Sequence, residues 1–445
     1  MDSAPTAVAL PLAPLPGQPS ARALVTAVFF AFSISLGLWA GAIPALMRQT
    51  GLDVEGLGLA LTLHTAVYIA AMAAGGQLAR FVAPRRLMRA ALLAIVPCAC
   101  WLFSTRTAAE LTAALAALGA GSGLLDLAMN AEGTALERGL GRRVLLGMHA
   151  AASAAFAVAA LGGSLIATAA GPRWCALPVL AVLLPVLLAL QRAGLGAKGA
   201  QGAPLPPMAS MAAVDVQDDQ EAVPGSRLSA WAERQPALRE QQPALAERQP
   251  ALPEQQPALE RVGGSHGVLR IGVVLGLAIS SEVAAQMWSA RFLARQAADL
   301  AAFAGAGAAF FTGFQAAVRL FGDALRRRLG DVRTILASLV AAALGFGVVA
   351  ASALFSQSLA GFALVGIGTA CVVPCCFALI AQRAGQRAPA ALGMASLVAG
   401  AVRIPAPLLL GAAAARWSDG WAFAGVGGAL ALAFVLARNE ARPSA

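Results

Sequence analysis

The sequence predicts an all-α membrane protein of twelve transmembrane helices, arranged as two six-helix bundles on either side of a long central loop. Three observations lead there. Hydrophobic residues make up 59% of the chain, only 12% are charged, and the mean hydropathy is +0.72. A water-soluble domain of 445 residues needs far more polar surface to cover its core. The apolar residues gather into runs close to the roughly 20 residues that a helix needs to cross hydrocarbon. One long polar stretch divides those runs six and six.

The first six runs span Leu24–Met47, Leu57–Ala79, Leu87–Ser104, Ala108–Ala131, Val144–Ala167 and Cys175–Leu190. The sixth is short and holds Pro178 and Pro185, which neighbouring helices can accommodate by satisfying the freed backbone groups. The second six span Ile271–Ala290, Leu300–Phe321, Ile335–Phe355, Leu359–Ala381, Ala391–Ala414 and Ala422–Leu436. The chain therefore divides into an N-terminal tail (1–23), a first bundle (24–190), a linker (191–270), a second bundle (271–436) and a C-terminal tail (437–445). The N-terminal tail is rich in Ala and Pro and lacks the basic start of a cleaved signal, so the first span reads as a retained anchor.

Within the linker, residues 232–259 read AERQPAL, REQQPAL, AERQPAL, PEQQPAL. A seven-residue period suggests a coiled coil, but a proline in every unit removes a helical hydrogen bond each turn or two. Disorder with polyproline character is the expectation. Basic residues in short loops set the topology. With both termini cytoplasmic, the short inner loops hold thirteen arginines and the outer loops six. The bias puts the linker and both termini in the cytoplasm. The net charge of +10 does not point to nucleic acid, because the basic residues are dispersed among these loops. The six cysteines lie in apolar runs without acidic or histidine neighbours at metal-ligand spacing, so packing is their role and no metal is expected.

Two loop sequences are alike. Gly76-Gln-Leu-Ala-Arg80, followed by Pro84-Arg85-Arg86, comes after the second span. Arg319-Leu-Phe-Gly322-Asp323, followed by Arg328-Leu-Gly330, comes after the eighth. Both resemble the G-x-L-a-D-r-x-G-r-[RK] loop of the major facilitator superfamily. Arg80 stands where the acid is usual. The segment GSGLLDLAMNAEGTALER (121–138) with His149 after it, GLWAGAIP with Trp39 and Pro44, and SEVAAQMWS with Glu282, Trp288 and Ser289 resemble the bacterial inner-membrane YbjJ-like branch of that superfamily. Met287 replaces an acid usual in the last of these. The resemblance covers nearly all of the chain outside the tails and linker. It implies the major facilitator fold, transport of a solute, a bacterial inner-membrane location, and gating roles for Gly76, Arg80, Arg85, Arg319, Gly322, Asp323 and Arg328. It does not name the solute.

An ionisable group inside the bilayer costs several kcal/mol, on the order of 3, so each one needs a reason. Asp126 and Asn130 lie four apart on one face of span four, and Gly119, Gly121 and Gly123 before them permit close helix approach. His149 and Ser153 form a second such pair in span five. Two readings stand: a proton-carrying cluster with Asp126 as carrier and His149 as its partner, or an interhelical clasp. Glu282, with Gln286 one turn on, reads either as a protonatable or solute-binding carboxylate or as the partner of Arg403. Arg403, flanked by Pro405 and Pro407, suits an anionic group on a solute or an ion pair with Glu282. His64 reads as a packing histidine. Trp39, Trp288 and Pro44 either shape the cavity or pack helices.

No Walker loop, HExxH or Rossmann fingerprint occurs, so neither an enzyme nor a cofactor is expected. The expected function is secondary active transport of a small solute by alternating access, with protons as the coupling ion, by a monomer in the lipid bilayer. The alternative is a non-transporting sensor or scaffold that docks a partner through its repeat.

Overall fold

The computed structural model describes residues 20–141, 144–195 and 264–439. The heptad repeat and nearly all of the expected linker and tails lie outside these residues. Every regular element described is helical. In chain order they are α1 (Ala21–Thr50), α2 (Val54–Leu78), α3 (Pro84–Ser104), α4 (Ala108–Leu140), α5 (Leu145–Ala169), α6 (Ala176–Leu195), α7 (Gly264–Gln296), α8 (Ala306–Leu329), α9 (Asp331–Ala351), α10 (Phe355–Thr369), α11 (Val372–Ala384), α12 (Ala388–Arg403), α13 (Ala406–Arg416) and α14 (Asp419–Arg438).

Helix ends follow local chemistry. Asp53 caps α2 by accepting from Gly56 N at 2.7 Å, and Thr107 and Ser418 cap α4 and α14 in the same way. Gly51, at φ +70°, closes α1 in a conformation that other residues resist.

Among the described residues, eleven helical segments are long and apolar enough to cross a membrane. Two are composite. One joins α10 to α11 and the other joins α12 to α13, whose break falls at Pro405. α8 is of spanning length but ends in Arg326, Arg327 and Arg328. The eighth expected span is therefore corrected. Its first residues, Leu300–Phe303, belong to a short 3₁₀ turn (Ala298–Phe303), and the helix runs from Ala306 to Leu329. α6 also continues to Leu195 and α7 starts at Gly264, so both ends of the expected linker are helical.

The apolar surface is turned outward as well as inward. Val158, Leu409 and Trp421 are each about two-thirds exposed or more, at 71%, 65% and 69%. Such an exterior suits lipid, and the chain is a multi-pass membrane protein.

Helices α1–α6 pack mainly on one another, with α1 against α5 and α4 against both α2 and α3. Helices α7–α14 do the same, with α9 against α10 and α14, and α7 against α12. The two sets meet through α5 on α8, α2 on α13 and α1 on α7. Small residues allow the closest crossings. A Cβ on Gly119 would lie 2.6 Å from the His64 carbonyl oxygen, and one on Gly123 would strike the Tyr68 carbonyl. α4 thus lies on the α2 backbone at the depth of the candidate site.

Gly123→Val should lower the thermal midpoint of the detergent-solubilised protein, because overpacking costs roughly 1–3 kcal/mol. Gly139→Val, on the same helix but with nothing within 4 Å of its added Cβ, should leave it unchanged. Equal midpoints for both variants would refute this account of the crossing.

Candidate functional site

The crossing of α4 on α2 brings a tyrosine to an aspartate. Tyr68 Oη donates to Asp126 Oδ2 at 2.5 Å. Asn130, one turn later on α4, donates through Nδ2 to Asp126 Oδ1 at 3.0 Å and to the Asp126 carbonyl at 2.9 Å. His149 on α5 lies with Nε2 3.1 Å from Asn130 Oδ1. Since the amide nitrogen is spent on Asp126, its oxygen accepts and His149 Nε2 donates. The expected Asp126–His149 contact is therefore indirect, with Asn130 between them. Phe29 edges onto the His149 ring at 5.0 Å.

His64, one turn before Tyr68, points Nδ1 at the Leu115 carbonyl at 2.8 Å, so it is a hydrogen-bonded packing histidine. Trp39 is buried beside it, with ring centroids 5.8 Å apart.

A second cluster lies between the two sets of helices. Glu282 on α7 meets Arg319 on α8, Oε2 to Nη2, at 3.9 Å. Arg319 also donates from Nη1 to Ser153 Oγ on α5 at 3.4 Å, and its Nε lies 3.5 Å from the carbonyl of Ala370, in the break between α10 and α11. Gln315, one turn earlier on α8, donates to Thr369 Oγ1 at 3.1 Å. The broken span thus offers backbone and hydroxyl oxygens where α8 presents donors. α5 serves both clusters, with His149 turned to α4 and Ser153 to α8.

This geometry corrects the expected pairing of Glu282 with Arg403. Arg403 stacks over the Tyr68 ring, with Cζ 5.8 Å from its centroid. Among the described residues Arg403 forms no ion pair, and its buried Nε has no hydrogen-bond partner. Glu282 Oε1 and the indole nitrogens of Trp39 and Trp288 are also buried without partners. Gln286 is half-buried on α7.

The expected gating residues divide. Arg80 lies in the α2–α3 loop, but Gly76 is inside α2 and Arg85 is in the first turn of α3. Arg319, Gly322, Asp323 and Arg328 all lie within α8 rather than in a loop. Arg85 Nε pairs with Glu132 Oε1 of α4 at 2.5 Å, and Arg326 Nε with Asp331 Oδ1 at 2.9 Å. Asp331 also accepts from Gln382 at 3.2 Å. Glu132 and Asp331 were not singled out from the sequence, since neither lies in the loop motif itself. At the other end, Arg291 and Arg295 share Asp419.

Comparison with solved structures gives the fold. The crystal structure of the nucleoside transporter NupG aligns over 96% of this chain and 100% of its own, with a TM-score of 0.62 and 12% identity. An aspartate-to-alanine variant of NupG aligns over 94% and 100%, at 0.64 and 12%. The human organic anion transporter MFSD10 (TETRAN) aligns over 94% and 100%, at 0.55 and 17%. The chain has the fold of these transporters. No family model and no curated protein sequence matches the chain.

Tyr68→Phe and Asp126→Asn should be coupled in a double-mutant stability cycle by about 0.6–1.7 kcal/mol, the range of interhelical hydrogen bonds in membranes. Additive effects would place the two side chains apart. Neutralising Glu282 or Arg319 alone leaves an uncompensated buried charge, so the doubly neutral variant should melt higher than either single variant. A double variant that melts lowest would contradict the pairing.

Proposed function

We propose that the chain is a secondary transporter of a small solute, in which two six-helix bundles rock about the polar clusters between them and expose these to one side of the membrane at a time. The observation that carries this reading is where the ionisable groups sit. Arg319 of the second set reaches Ser153 of the first, and Arg403 of the second covers Tyr68 of the first. Charges shared between sets exchange partners when the sets move.

The contacts between the sets also differ along the helices. Near the C-terminal end of α5, Ser164 Oγ donates to the Ala302 carbonyl at 2.9 Å, and Gly305 lies against Ala160. At the same end a Cβ on Gly58 of α2 would lie 2.8 Å from the Pro407 carbonyl and 3.1 Å from Gly411 Cα. That end is clasped by backbone contact. With both termini cytoplasmic, as the arginine bias indicates, the clasped end is external and the state is closed to the outside. Asp126, which accepts from Tyr68 and Asn130, and Glu282, which faces Arg319, carry the coupling proton. The YbjJ-like branch of the superfamily, and with it a bacterial inner membrane, is the placement favoured by the motifs around Asp126 and Glu282.

Spin labels test this without a known solute. In a cysteine-free background, labels at positions 109 and 416 report the clasped end, and labels at 81 and 387 report the other. Shifting the pH of the reconstituted protein should lengthen one distance while shortening the other. The combined Asp126→Asn, Glu282→Gln variant should lose that response. Distances that stay fixed, or change in the same sense, would reject alternating access. A response that survives both substitutions would reject coupling through these acids.

A further inference from the structure

Beside the polar clusters is a cavity of about 500 Å³, within the range that holds a drug-sized molecule. It lies between α7, the α12–α13 break and α14, with Thr65 of α2 at its inner wall. Most of its lining is aliphatic, including Leu277, Leu410 and Val426. Among the described residues Arg403 is the only charged one lining it, and no acid does so.

The polar atoms of this lining are unbalanced. Ser280, Ser281 and Thr65 have each spent their hydroxyl proton on a carbonyl of their own helix, at 2.8, 2.7 and 2.8 Å. The two unpartnered polar atoms are Arg403 Nε and Trp288 Nε1, and Trp288 is only 3% exposed. Both groups are donors with no acceptor capacity. A buried donor left unpaired is a cost that native structures seldom leave standing. Asp126 and Glu282 are within electrostatic reach of Arg403 but hydrogen-bond or pair elsewhere. What the cavity lacks is an acceptor carrying negative charge, joined to an apolar body.

We infer that this cavity binds an amphipathic organic monoanion, its anionic group on Arg403 and Trp288 and its apolar body against α7, α13 and α14. Leu409 is largely exposed on the outer flank of α13, and Gly425 is exposed on α14, so the mouth opens sideways. A ligand that partitions into hydrocarbon can reach it there. The same chemistry describes a free hydrophobic carboxylate and an anionic lipid. The inference rests on the transporter reading, in that the bound anion is the solute and Arg403 joins it to Tyr68 and Asp126.

The test is equilibrium binding of radiolabelled 1-naphthoate to the full chain in phosphatidylcholine nanodiscs, with uncharged 1-naphthamide as the comparison. Naphthoate should bind and naphthamide should bind about tenfold or more weakly, the loss of one charge-assisted contact. Arg403→Gln should weaken naphthoate by a similar factor and erase the difference between the two compounds. Gly425→Phe keeps the arginine and adds bulk at the cavity lining, where an added Cβ has nothing within 4 Å. It should weaken both compounds, and it stands as the second variant should Arg403→Gln not fold. Doping the discs with phosphatidylglycerol separates the sources. Competition with naphthoate in the parent protein assigns the site to lipid, and undisturbed binding assigns it to a free anion.

Failure of naphthoate to bind the parent protein, equal binding of the two compounds, or binding indifferent to both substitutions would overturn the inference. Counterflow of naphthoate in proteoliposomes is read separately. Binding as described without exchange would leave the site standing and reject the transporter reading.

Discussion

Hydrocarbon offers no hydrogen-bond partner, and that single constraint orders the rest of this structure. Every donor, acceptor and charge carried into the spans must find a partner within the protein or go without. Asp126 finds Tyr68 and Asn130, His149 finds Asn130, and Arg319 finds Glu282, Ser153 and the freed carbonyl of Ala370. These groups come from five helices and the break between α10 and α11, yet they converge. Convergence follows from the solvent, because each helix turns its few polar atoms away from lipid and toward the same interior.

Backbone proximity makes the convergence tight. Glycines where α4 crosses α2 let two main chains touch, and the side chains that flank the crossing are then held at hydrogen-bond distance. The same device recurs between the two sets of helices, at Gly58 with Gly411 and at Gly305 with Ala160. Contacts of that kind carry little side-chain reorganisation, which makes them suited to surfaces that separate and close again. Proline plays the complementary part. The break at Pro405 ends α12 at Arg403 and leaves the guanidinium at the edge of a cavity instead of buried along a continuous helix face.

The two halves of the molecule differ in how their charges are met. Asp126 is fully engaged by partners within the first set. Arg403 of the second set has an aromatic ring but no anion, and one oxygen of Glu282 has no donor. A site in which some groups are satisfied and others are not is poised for a molecule that supplies what is missing, and this is the link between the packing and the transport reading.

Composition, run lengths and loop arginines by themselves determined that lipid surrounds the chain, how many spans it has to within one helix, and which residues are too polar to face that lipid. The four-residue spacing of Asp126 and Asn130, the glycines before them and the prolines around residue 405 were legible because each acts within one helix. Partner choice was not. Whether Glu282 meets Arg403 or Arg319, that Tyr68 rather than His149 donates to Asp126, and that α8 extends through the expected gating loop all depend on how helices rotate and slide against one another. Those rotations are fixed by the summed packing of many small residues across long sequence separations. Only the tertiary structure carries that information, because a helix alone specifies which groups share its face but not what that face meets.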